Sequence, residues 1–283
     1  MKTQGAGFPD RRRIMSKKPF KEKVVVITGA ASGIGLALAR KFAREGAFIG
    51  LMDMDRAALE KCEKQFADRG YHAVGVVCDV TRQAMCESAV AKITDAFGHI
   101  DVLVNNAGIT QRSVFAETKV EVFQRVMDVN FFGALYCTKA ALDSIIRRRG
   151  MIIVNESVAG FAPLLGRTGY SASKHALHGL FTSLRCELRH TGVHVMIVCP
   201  GFIKTNLQTR ALGGAGNITK VPQSRVGKQD TPESAAEIIY RGAVKRKNML
   251  VLTWIGKTGY WVSRITPVMY EKIMTRQFRS ELS

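Results

Sequence analysis

Sequence features that would indicate a metal centre, a disulfide framework or a membrane-spanning helix are missing. The six cysteines are scattered, form no CxxC pair and do not stand with histidine at metal-ligand spacing. No run reaches the roughly 18 uncharged apolar residues that a spanning helix needs. The basic N-terminus is not followed by the apolar segment of a secretory signal. We therefore expect no metal, no disulfide, and a reducing, cytoplasmic compartment.

Acidic residues are scarce. The chain of 283 residues carries 23 Asp and Glu against 42 Lys and Arg, a net charge of +19. Residues 1–23 and 241–283 together carry +13 of this charge, and they include a basic extension over residues 1–22 and a basic, aromatic extension over residues 254–283. Because no nucleic-acid-binding module is recognisable, we expect no nucleic-acid partner. Solubility alone is one explanation of the basic ends, and the alternative is attraction to an anionic lipid surface or an acidic protein. Met15 is an alternative start of the native chain.

Between residues 23 and 253, short apolar runs alternate with helical patterns. Val24–Ile27 is continuously apolar, as in a strand that is buried on both faces. Thr231-Pro232-Glu233 has the N-cap, first-turn proline and acid of a helix start. Residues 120–149 predict one long helix, and residues 207–229 predict a mobile loop. The alternation predicts a single α/β domain: a Rossmann-type, doubly wound parallel sheet of about seven strands with helices on both faces.

A glycine-rich segment follows the first predicted strand and opens the first predicted helix. It reads TGAASGIG, from Thr28 to Gly35. Glycines let the backbone turn sharply and approach a pyrophosphate, and the helix N-terminus offers N–H groups to the anion. A tight turn alone would also use glycines, but the strand–turn–helix context predicts a dinucleotide site. Its candidate residues are Gly29, Ser32, Gly33, Ile34 and Gly35.

Asp53 ends the second predicted strand, 20 residues after Gly33. A carboxylate there can accept the ribose hydroxyls of NAD and would repel the additional phosphate of NADP. No Arg or Lys lies in the loop before Gly33, so the sequence favours NAD, while Arg56 keeps NADP open. Alternatively, Asp53 is only the N-cap of the following helix.

Tyr170 and Lys174 stand four residues apart, on one face of a predicted helix. A phenol with a pKa of about 10 is a poor proton carrier at neutral pH. A neighbouring ammonium favours the phenolate and lowers that pKa toward the working range. The pair is therefore a candidate for acid–base catalysis, although a YxxxK spacing on its own is common.

Together these segments resemble the classical short-chain dehydrogenases/reductases, from about Lys23 to Thr253. The resemblance is carried by Thr28–Gly35, Asp79-Val80, Asn105-Asn106-Ala107-Gly108, Asn130, Ser157, Tyr170 with Lys174, and Pro200-Gly201. It implies an NAD(P)-dependent oxidoreductase that acts on CH–OH groups. It also implies a homodimer or homotetramer, formed through the long helix and the helix that bears Tyr170.

The resemblance implies a role for each catalytic candidate. Tyr170 would be the general acid in ketone reduction and the base in alcohol oxidation. Lys174 would lower the pKa of Tyr170 and hold the nicotinamide ribose. Ser157 would hydrogen-bond the substrate oxygen as charge develops. Asn130 would position a water that passes protons from Lys174 to solvent.

The implied cofactor contacts extend beyond the glycine-rich segment. Asp79 would contact the adenine, Thr205 would meet the nicotinamide amide, and Asn106 and Gly108 would line the cleft. The remaining implied contacts are Val80, Ala107, Tyr170, Lys174, Pro200 and Gly201.

One position departs from the family. Where the family usually has a pair of serines, this chain has Glu156-Ser157. On a strand the two side chains point to opposite faces. We therefore expect Glu156 to be a buried or interface carboxylate paired with a base. The alternative is that Glu156 tunes the site.

The residues that flank the predicted site are mostly apolar. Phe161 and Phe202 are candidate substrate contacts beside Ser157 and Tyr170, and no Arg or Lys occupies the flanking positions, although Arg167 lies near. We expect a lipophilic secondary alcohol or its ketone as substrate. An NADP-dependent ketoacyl or carbonyl reductase is the alternative. A non-catalytic dinucleotide-binding sensor or scaffold is the alternative from another class.

After residue 253 the resemblance ends, and aromatic residues interleave with basic ones. Thr266-Pro267 can start a helix whose apolar stripe includes Met269, Ile273 and Met274. Such a stripe packs on its own domain or on a partner subunit. The alternative is peripheral membrane contact through this tail.

Overall fold

A computed structural model describes residues 18–223 and 229–279, and seven strands in this part of the chain form one sheet. Met15 and most of the N-terminal extension lie outside the described residues. The strands are β1 (Val24–Thr28), β2 (Phe48–Asp53), β3 (Ala73–Val77), β4 (Val102–Asn105), β5 (Met151–Asn155), β6 (His194–Cys199) and β7 (Met249–Val251). All neighbours are parallel, in the order β3-β2-β1-β4-β5-β6-β7. The predicted fold class is confirmed.

The helices cover both faces of this sheet. They are α1 (Gly33–Arg44), α2 (Arg56–Ala67), α3 (Gln83–Phe97), α4 (Val120–Met127), α5 (Gly133–Arg148), α6 (Thr168–Glu187), α7 (Asn206–Thr209), α8 (Pro232–Val244), α9 (Trp254–Ile265) and α10 (Pro267–Phe278). The helix start predicted at Thr231 is confirmed, because the Thr231 side chain accepts the N–H of Ser234 at 3.1 Å and Pro232 begins α8.

Strand β1 shows why its sequence is apolar at every position. Val24 and Val26 point into the apolar cluster on one face of the sheet, and Val25 and Ile27 point into the cluster on the other face. All four side chains are fully buried. Since burying one such side chain stabilises a fold by about 1.5–3 kcal/mol, a polar substitution on either face would break this strand's packing.

The functional edge of the sheet follows from its strand order. The order reverses between β1 and β4, and the loops that leave these two strands diverge there. In open parallel sheets a ligand crevice forms at this point, outside the carboxyl ends of the strands. The glycine-rich turn after β1 and the Asn106 turn after β4 meet at this crevice.

Two segments differ from the sequence-based expectation. Residues 120–149 form two helices rather than one, because a π-helical turn, Asp128–Phe132, separates α4 from α5. Residues 207–229 are only partly irregular, since isolated bridges join Leu212 to Gln111 and Ile218. Leu212 is buried, which anchors this segment over the crevice. Residues 224–228 lie outside the described residues.

Two helices, α9 and α10, follow β7. The Thr253 side chain caps α9 by accepting the N–H of Gly256 at 3.1 Å. Pro267 begins α10, as the sequence indicates. Among the described residues, no helix combines the length and the apolar character needed to cross a bilayer.

Candidate active site

The turn after β1 is held by Thr28 and Asn106. Gly29 and Gly33 have φ angles of 63° and 54°, a region that strains any residue with a Cβ. Asn106 Nδ2 donates to the carbonyls of Thr28 at 2.9 Å and Gly29 at 3.2 Å. Thr28 Oγ1 accepts the N–H groups of Asn106 at 3.0 Å and Ala107 at 2.9 Å. Four hydrogen bonds therefore fix the turn after β1 to the turn after β4.

The N-terminus of α1 faces a cavity that is bordered by Gly29, Ser32, Gly33 and Ile34. The Ser32 side chain makes no capping hydrogen bond to this helix. First-turn N–H groups of a helix have no intrahelical acceptor, so they can bind an anion that enters the cavity. Gly35 does not reach the cavity, because it packs on the turn, where a Cβ would lie 2.6 Å from Asn106 Nδ2. The residues fit a pyrophosphate.

Asp53 lies on the wall of the same cavity. Its Oδ2 accepts the N–H of Ala31 at 2.9 Å, and its Oδ1 accepts the N–H of Asp55 at 3.1 Å. The N-cap of α2 is Asp55, which accepts the N–H of Ala58 at 3.0 Å, so the alternative interpretation of Asp53 as that cap is wrong. Arg56 does not border the cavity.

The other expected cofactor residues lie around this cavity. Asp79 Oδ1 accepts the N–H of Thr81 at 3.0 Å and its hydroxyl at 2.8 Å, which holds the Asp79 loop against the cavity. The residues that border the cavity also include Val80, Asn106, Ala107, Gly108, Pro200, Gly201 and Thr205. The structure therefore brings the carboxyl ends of β1, β2, β4 and β6 to a single cleft, together with the Asp79 loop that follows β3.

Tyr170 is buried beside Ser157 at the other end of the cavity. Burial raises the pKa of Tyr170, although a hydrogen bond with Ser157 and the nearby Arg167 guanidinium act in the opposite direction. Ser157 Oγ also accepts the N–H of Ala159 at 3.1 Å, which fixes its side chain. The phenol is therefore protonated at neutral pH, the form that donates a proton to a carbonyl oxygen.

Lys174 lies one helical turn after Tyr170, and its Nζ is 5.7 Å from the centroid of the Tyr170 ring. Nζ donates to the carbonyl of Asn155 at 3.0 Å. Burial lowers the pKa of Lys174 to about 8, against the attraction of Glu156. The ammonium is therefore charged at pH 7 and loses its proton slightly above it. In this structure Ser157 and Arg167, rather than Lys174, oppose the rise in the pKa of Tyr170.

Asn130 occupies the π-helical turn and stands behind the cavity wall. Its Oδ1 accepts the N–H of Ile109 at 2.8 Å, and its Nδ2 donates to the carbonyl of Ile109 at 3.0 Å and to Ser173 Oγ at 2.9 Å. These bonds join the loop after β4 to α6. The Asn130 amide thus uses its hydrogen bonds to hold α6, the helix that carries Lys174. Its role in positioning a water stays a prediction.

Glu156 is a buried carboxylate that is paired with a base. Its Oε1 lies 3.1 Å from His178 Nδ1, and Cys199 Sγ donates to its Oε2 at 3.3 Å. The Glu156 side chain has no exposed surface. Gly160 makes room for it, since a Cβ at that position would lie 2.7 Å from Glu156 Cγ. The expectation of a buried carboxylate paired with a base is confirmed, but the expectation of opposite strand faces was wrong, because β5 ends at Asn155 and Glu156 and Ser157 both border the cavity.

The substrate end of the cavity is mostly apolar. The cavity has a volume of about 750 Å³ and continues past Tyr170 to Phe202. Phe161, the second expected substrate contact, does not border it, because its ring packs under α9, 5.0 Å from Tyr260. Arg125, Arg167 and Arg210 also border the cavity, so basic side chains reach it from positions outside the flanking residues, as the sequence indicated for Arg167.

Sequence reasoning missed the contribution of α9 and α10 to this end. Val262, Tyr270, Met274 and Phe278 border the cavity. Phe278 is 1% exposed and stacks on Phe202, with ring centroids 6.4 Å apart. The only sequence signal for this arrangement was the apolar spacing of four residues from Tyr270 to Met274 and Phe278, which fits one face of a helix.

Comparisons with known proteins agree with this geometry. The family model for short chain dehydrogenases matches residues 23–213. Dehydrogenase/reductase SDR family member 7B of mouse is 32% identical over 276 residues, which cover 95% of this chain and 85% of that protein. The SDR family protein 7-like of Drosophila melanogaster is 33% identical, over 90% of this chain and 80% of that protein.

Solved structures share the fold. A short-chain dehydrogenase/reductase of Burkholderia phymatum in complex with NAD superposes with a TM-score of 0.76, at 24% identity, over 91% of this chain and 96% of that one. An alcohol dehydrogenase of Thermococcus sibiricus, complexed with 5-hydroxy-NADP, gives 0.71 at 28% identity, over 81% and 95%. The family model and these relatives show that this chain belongs to the short-chain dehydrogenase/reductase family of NAD(P)-dependent oxidoreductases that act on CH–OH groups.

Proposed function

We propose that this enzyme transfers a hydride between NAD(H) and a lipophilic secondary alcohol or its ketone. The observation that carries the proposal is the single cavity, with the α1 N-terminus and Asp53 at one end and Ser157 and Tyr170 beside an apolar pocket at the other. A dinucleotide and a lipophilic substrate can meet in this space at the phenol of Tyr170.

A bound nicotinamide would supply or accept the hydride. The side chains of this chain donate or accept the proton. In ketone reduction, the Tyr170 hydroxyl donates its proton to the substrate oxygen, and Ser157 donates a hydrogen bond as negative charge develops there. In alcohol oxidation, Tyr170 takes the proton back. Lys174 would hold the cofactor's ribose, while Ser157 and Arg167 oppose the rise that burial causes in the pKa of Tyr170.

Replacement of Tyr170 by phenylalanine tests the catalytic assignment. We expect Tyr170→Phe to lower kcat by about 10²–10⁴-fold, the usual contribution of a general acid–base, without weakening NADH binding. The measurement is NADH absorbance with a panel of lipophilic ketones and alcohols, and NADH fluorescence for binding. Tyr71→Phe, far from the cavity, is the matched control. Binding of NADH without turnover of any panel member would favour the non-catalytic sensor instead.

Asp53 carries the proposed preference for NAD. It lies on the cavity wall and Arg56 does not, so the additional phosphate of NADP would meet a carboxylate without a compensating guanidinium. We expect Asp53→Ser to weaken NADH binding. The dissociation constant of NADPH divided by that of NADH should fall by at least about tenfold. Arg56→Ser is the control. A wild-type enzyme that binds NADPH more tightly would support the alternative NADP-dependent carbonyl reductase.

We also propose that the enzyme forms a homodimer or homotetramer through α5 and α6. The proposal rests on the family resemblance, in which these helices commonly meet. Sedimentation velocity across a range of protein concentrations checks it, and a monomer at all concentrations would contradict it.

A further inference from the structure

Helices α9 and α10 leave an apolar surface uncovered. We define the C-terminal face by its exposed apolar residues, which are Trp254, Ile255, Trp261, Ile265, Val268, Met269 and Ile273. Trp254 is 76% exposed, Ile265 72% and Trp261 62%. The other large apolar side chains that are exposed in the described residues, Met54, Phe115, Val120, Ile218 and Val244, lie outside these two helices. A cluster of this size, in contrast, marks an interaction site.

The face is a product of the helical spacing. Trp254, Trp261 and Ile265 fall within about 40° of one another around α9, because successive residues are about 100° apart. On α10, Tyr270, Met274 and Phe278 face inward to the cavity, Met269 falls on the outer side, and Ile273 lies at the edge between the two. Helix α10 is thus apolar on two sides, and only one of them is covered by the domain.

Positive charges surround these apolar residues. Five exposed basic residues stand against one acidic residue, Glu271, between positions 254 and 279, a net charge of +4. The basic residues are Lys257, Arg264, Lys272, Arg276 and Arg279. Lys257 and Arg264 follow one flank of the tryptophan stripe, about 60–80° from Trp254. An apolar stripe with tryptophan and flanking Lys and Arg is the composition of a helix that lies in a membrane interface.

The net charge of the C-terminal face also distinguishes between its possible binding partners, a second copy of this chain and a lipid surface. A second copy of this chain on the same face would set a net charge of +4 against +4, and like charges across an interface weaken association. An anionic lipid surface would instead attract each basic residue by about 1 kcal/mol. The complementary occupant is therefore an anionic bilayer.

The C-terminal face is continuous with the active-site cavity. Ile255 and Ile273 are each 47% exposed on the face, and both also border the cavity. The cavity therefore reaches the surface between α9 and α10. We propose that the C-terminal face docks this enzyme on an anionic bilayer, and that its substrate enters from the lipid between these two helices. The second half of this proposal rests on the proposed function.

Vesicle binding tests the docking step with the full-length enzyme. The chain has two tryptophans, and both lie on the C-terminal face. We expect phosphatidylcholine–phosphatidylserine vesicles to shift the tryptophan emission to the blue and to co-sediment the enzyme. Phosphatidylcholine vesicles alone, or high salt, should reduce binding severalfold, because surface attraction is screened. An unchanged emission spectrum at saturating anionic vesicles would overturn the proposal.

Substitutions locate the contact. We expect the double variant Trp261→Ser with Ile265→Ser to lose at least about tenfold in vesicle affinity, since neither residue borders the cavity and both leave water on docking. Phe115→Ser, with a side chain that is 70% exposed elsewhere, is the matched apolar control. Lys257→Glu with Lys272→Glu should weaken binding as well, whereas Lys61→Glu with Lys64→Glu on α2 should not.

A subunit interface is the outcome that would replace membrane docking. It would appear in sedimentation velocity as an oligomer that the Trp261→Ser and Ile265→Ser variant dissociates, with no vesicle binding by the wild type. Substrate delivery is read separately. The same variant should slow turnover of a ketone embedded in vesicles and retain turnover of a ketone dissolved with cyclodextrin, and equal slowing of both would refute lipid entry. Vesicle binding without turnover of any substrate would refute only the proposed function.

Discussion

Replacing Gly160 by alanine is expected to destabilise this fold by about 2–3 kcal/mol, the upper range for overpacking a buried site. The three heavy atoms nearest to a Cβ at this position all belong to the Glu156 side chain, and Cγ would be 2.7 Å away. Glu156 cannot move aside cheaply, because His178 holds Oε1 at 3.1 Å and Cys199 holds Oε2 at 3.3 Å. The φ angle of Gly160 is not positive, so backbone strain adds nothing to this cost.

The cost should disappear when Glu156 is shortened. In a Glu156→Ala background, which removes Cγ, Cδ and Oε1 of Glu156, a Cβ at position 160 meets none of these three atoms. Alanine then restricts the unfolded chain more than glycine does, which stabilises by about 0.4–1 kcal/mol where the backbone is compatible. The two substitutions are therefore expected to couple by about 2.5–4 kcal/mol, at or just above the top of the range for residues in contact.

A double-mutant cycle measures this coupling. Urea unfolding of the wild type, both single variants and the double variant gives four free energies of unfolding, which are comparable if the m-value stays constant. Ala43→Gly on α1, outside the site, serves as a control for a change of one methyl group in the core. If Gly160→Ala costs the same with and without Glu156, contact between these two residues is not the reason for the glycine.

The contacts of Asp101 and of Phe278 predict how substitution of each residue changes the stability of the fold. Burial alone would raise the pKa of Asp101, but the Val24 N–H at 3.0 Å, Lys23 at 3.0 Å and Arg148 at 3.0 Å lower it. Its contribution to stability is therefore present above the unfolded-state pKa of about 3.9 and is lost as the pH falls through the lower folded-state pKa. Asp101→Asn should cost about 2–3 kcal/mol at pH 7 and should flatten the decline in stability below pH 5, in urea unfolding at a series of pH values; a variant as acid-sensitive as the wild type would contradict this. Phe278→Ala should enlarge the apolar end of the cavity and cost about 3–5 kcal/mol of stability, as for other buried phenylalanines, measured by thermal unfolding, and a loss below about 1 kcal/mol would show that the ring is not packed on Phe202.

The start of the fold could be predicted because local chemistry decides it. The apolar run of β1 permits only a strand that is buried on both sides. The turn after it requires glycine where φ is 63° and 54°, at Gly29 and Gly33. Both requirements are visible within a dozen residues of sequence, and the structure agrees with them.

The π-helical turn at Asn130 could not be predicted in this way. Residues 128–132 contain no glycine or proline that would mark a break in the helix. The partners of Asn130, Ile109 and Ser173, are 21 and 43 residues away along the chain. The local pattern therefore indicates continuous helix, and long-range hydrogen bonds override it.

The sequence of residues 254–283 predicts a helix, but it does not predict which side of that helix faces the domain. Apolar residues occur on both sides of α10, so the pattern does not tell which side the domain covers. The structure decides through Phe278, which packs against Phe202, 76 residues earlier in the chain. The stripe of Met269, Ile273 and Met274 is consequently divided: Met274 borders the cavity and is half-buried, Ile273 borders the cavity but is exposed, and Met269 is exposed and does not border it.

The two walls of the cleft differ in stiffness. The wall that holds the dinucleotide is cross-linked by the amide of Asn106 and the hydroxyl of Thr28, which are directional bonds that break if the wall deforms. The opposite wall is joined by ring contacts, Phe161 with Tyr260 and Phe202 with Phe278, which tolerate sliding. When the cleft opens and closes during turnover, we expect α9 and α10 to slide while the wall formed by the turns after β1 and β4 stays in place. Backbone amide hydrogen exchange should therefore be faster in α9 and α10 than in β1.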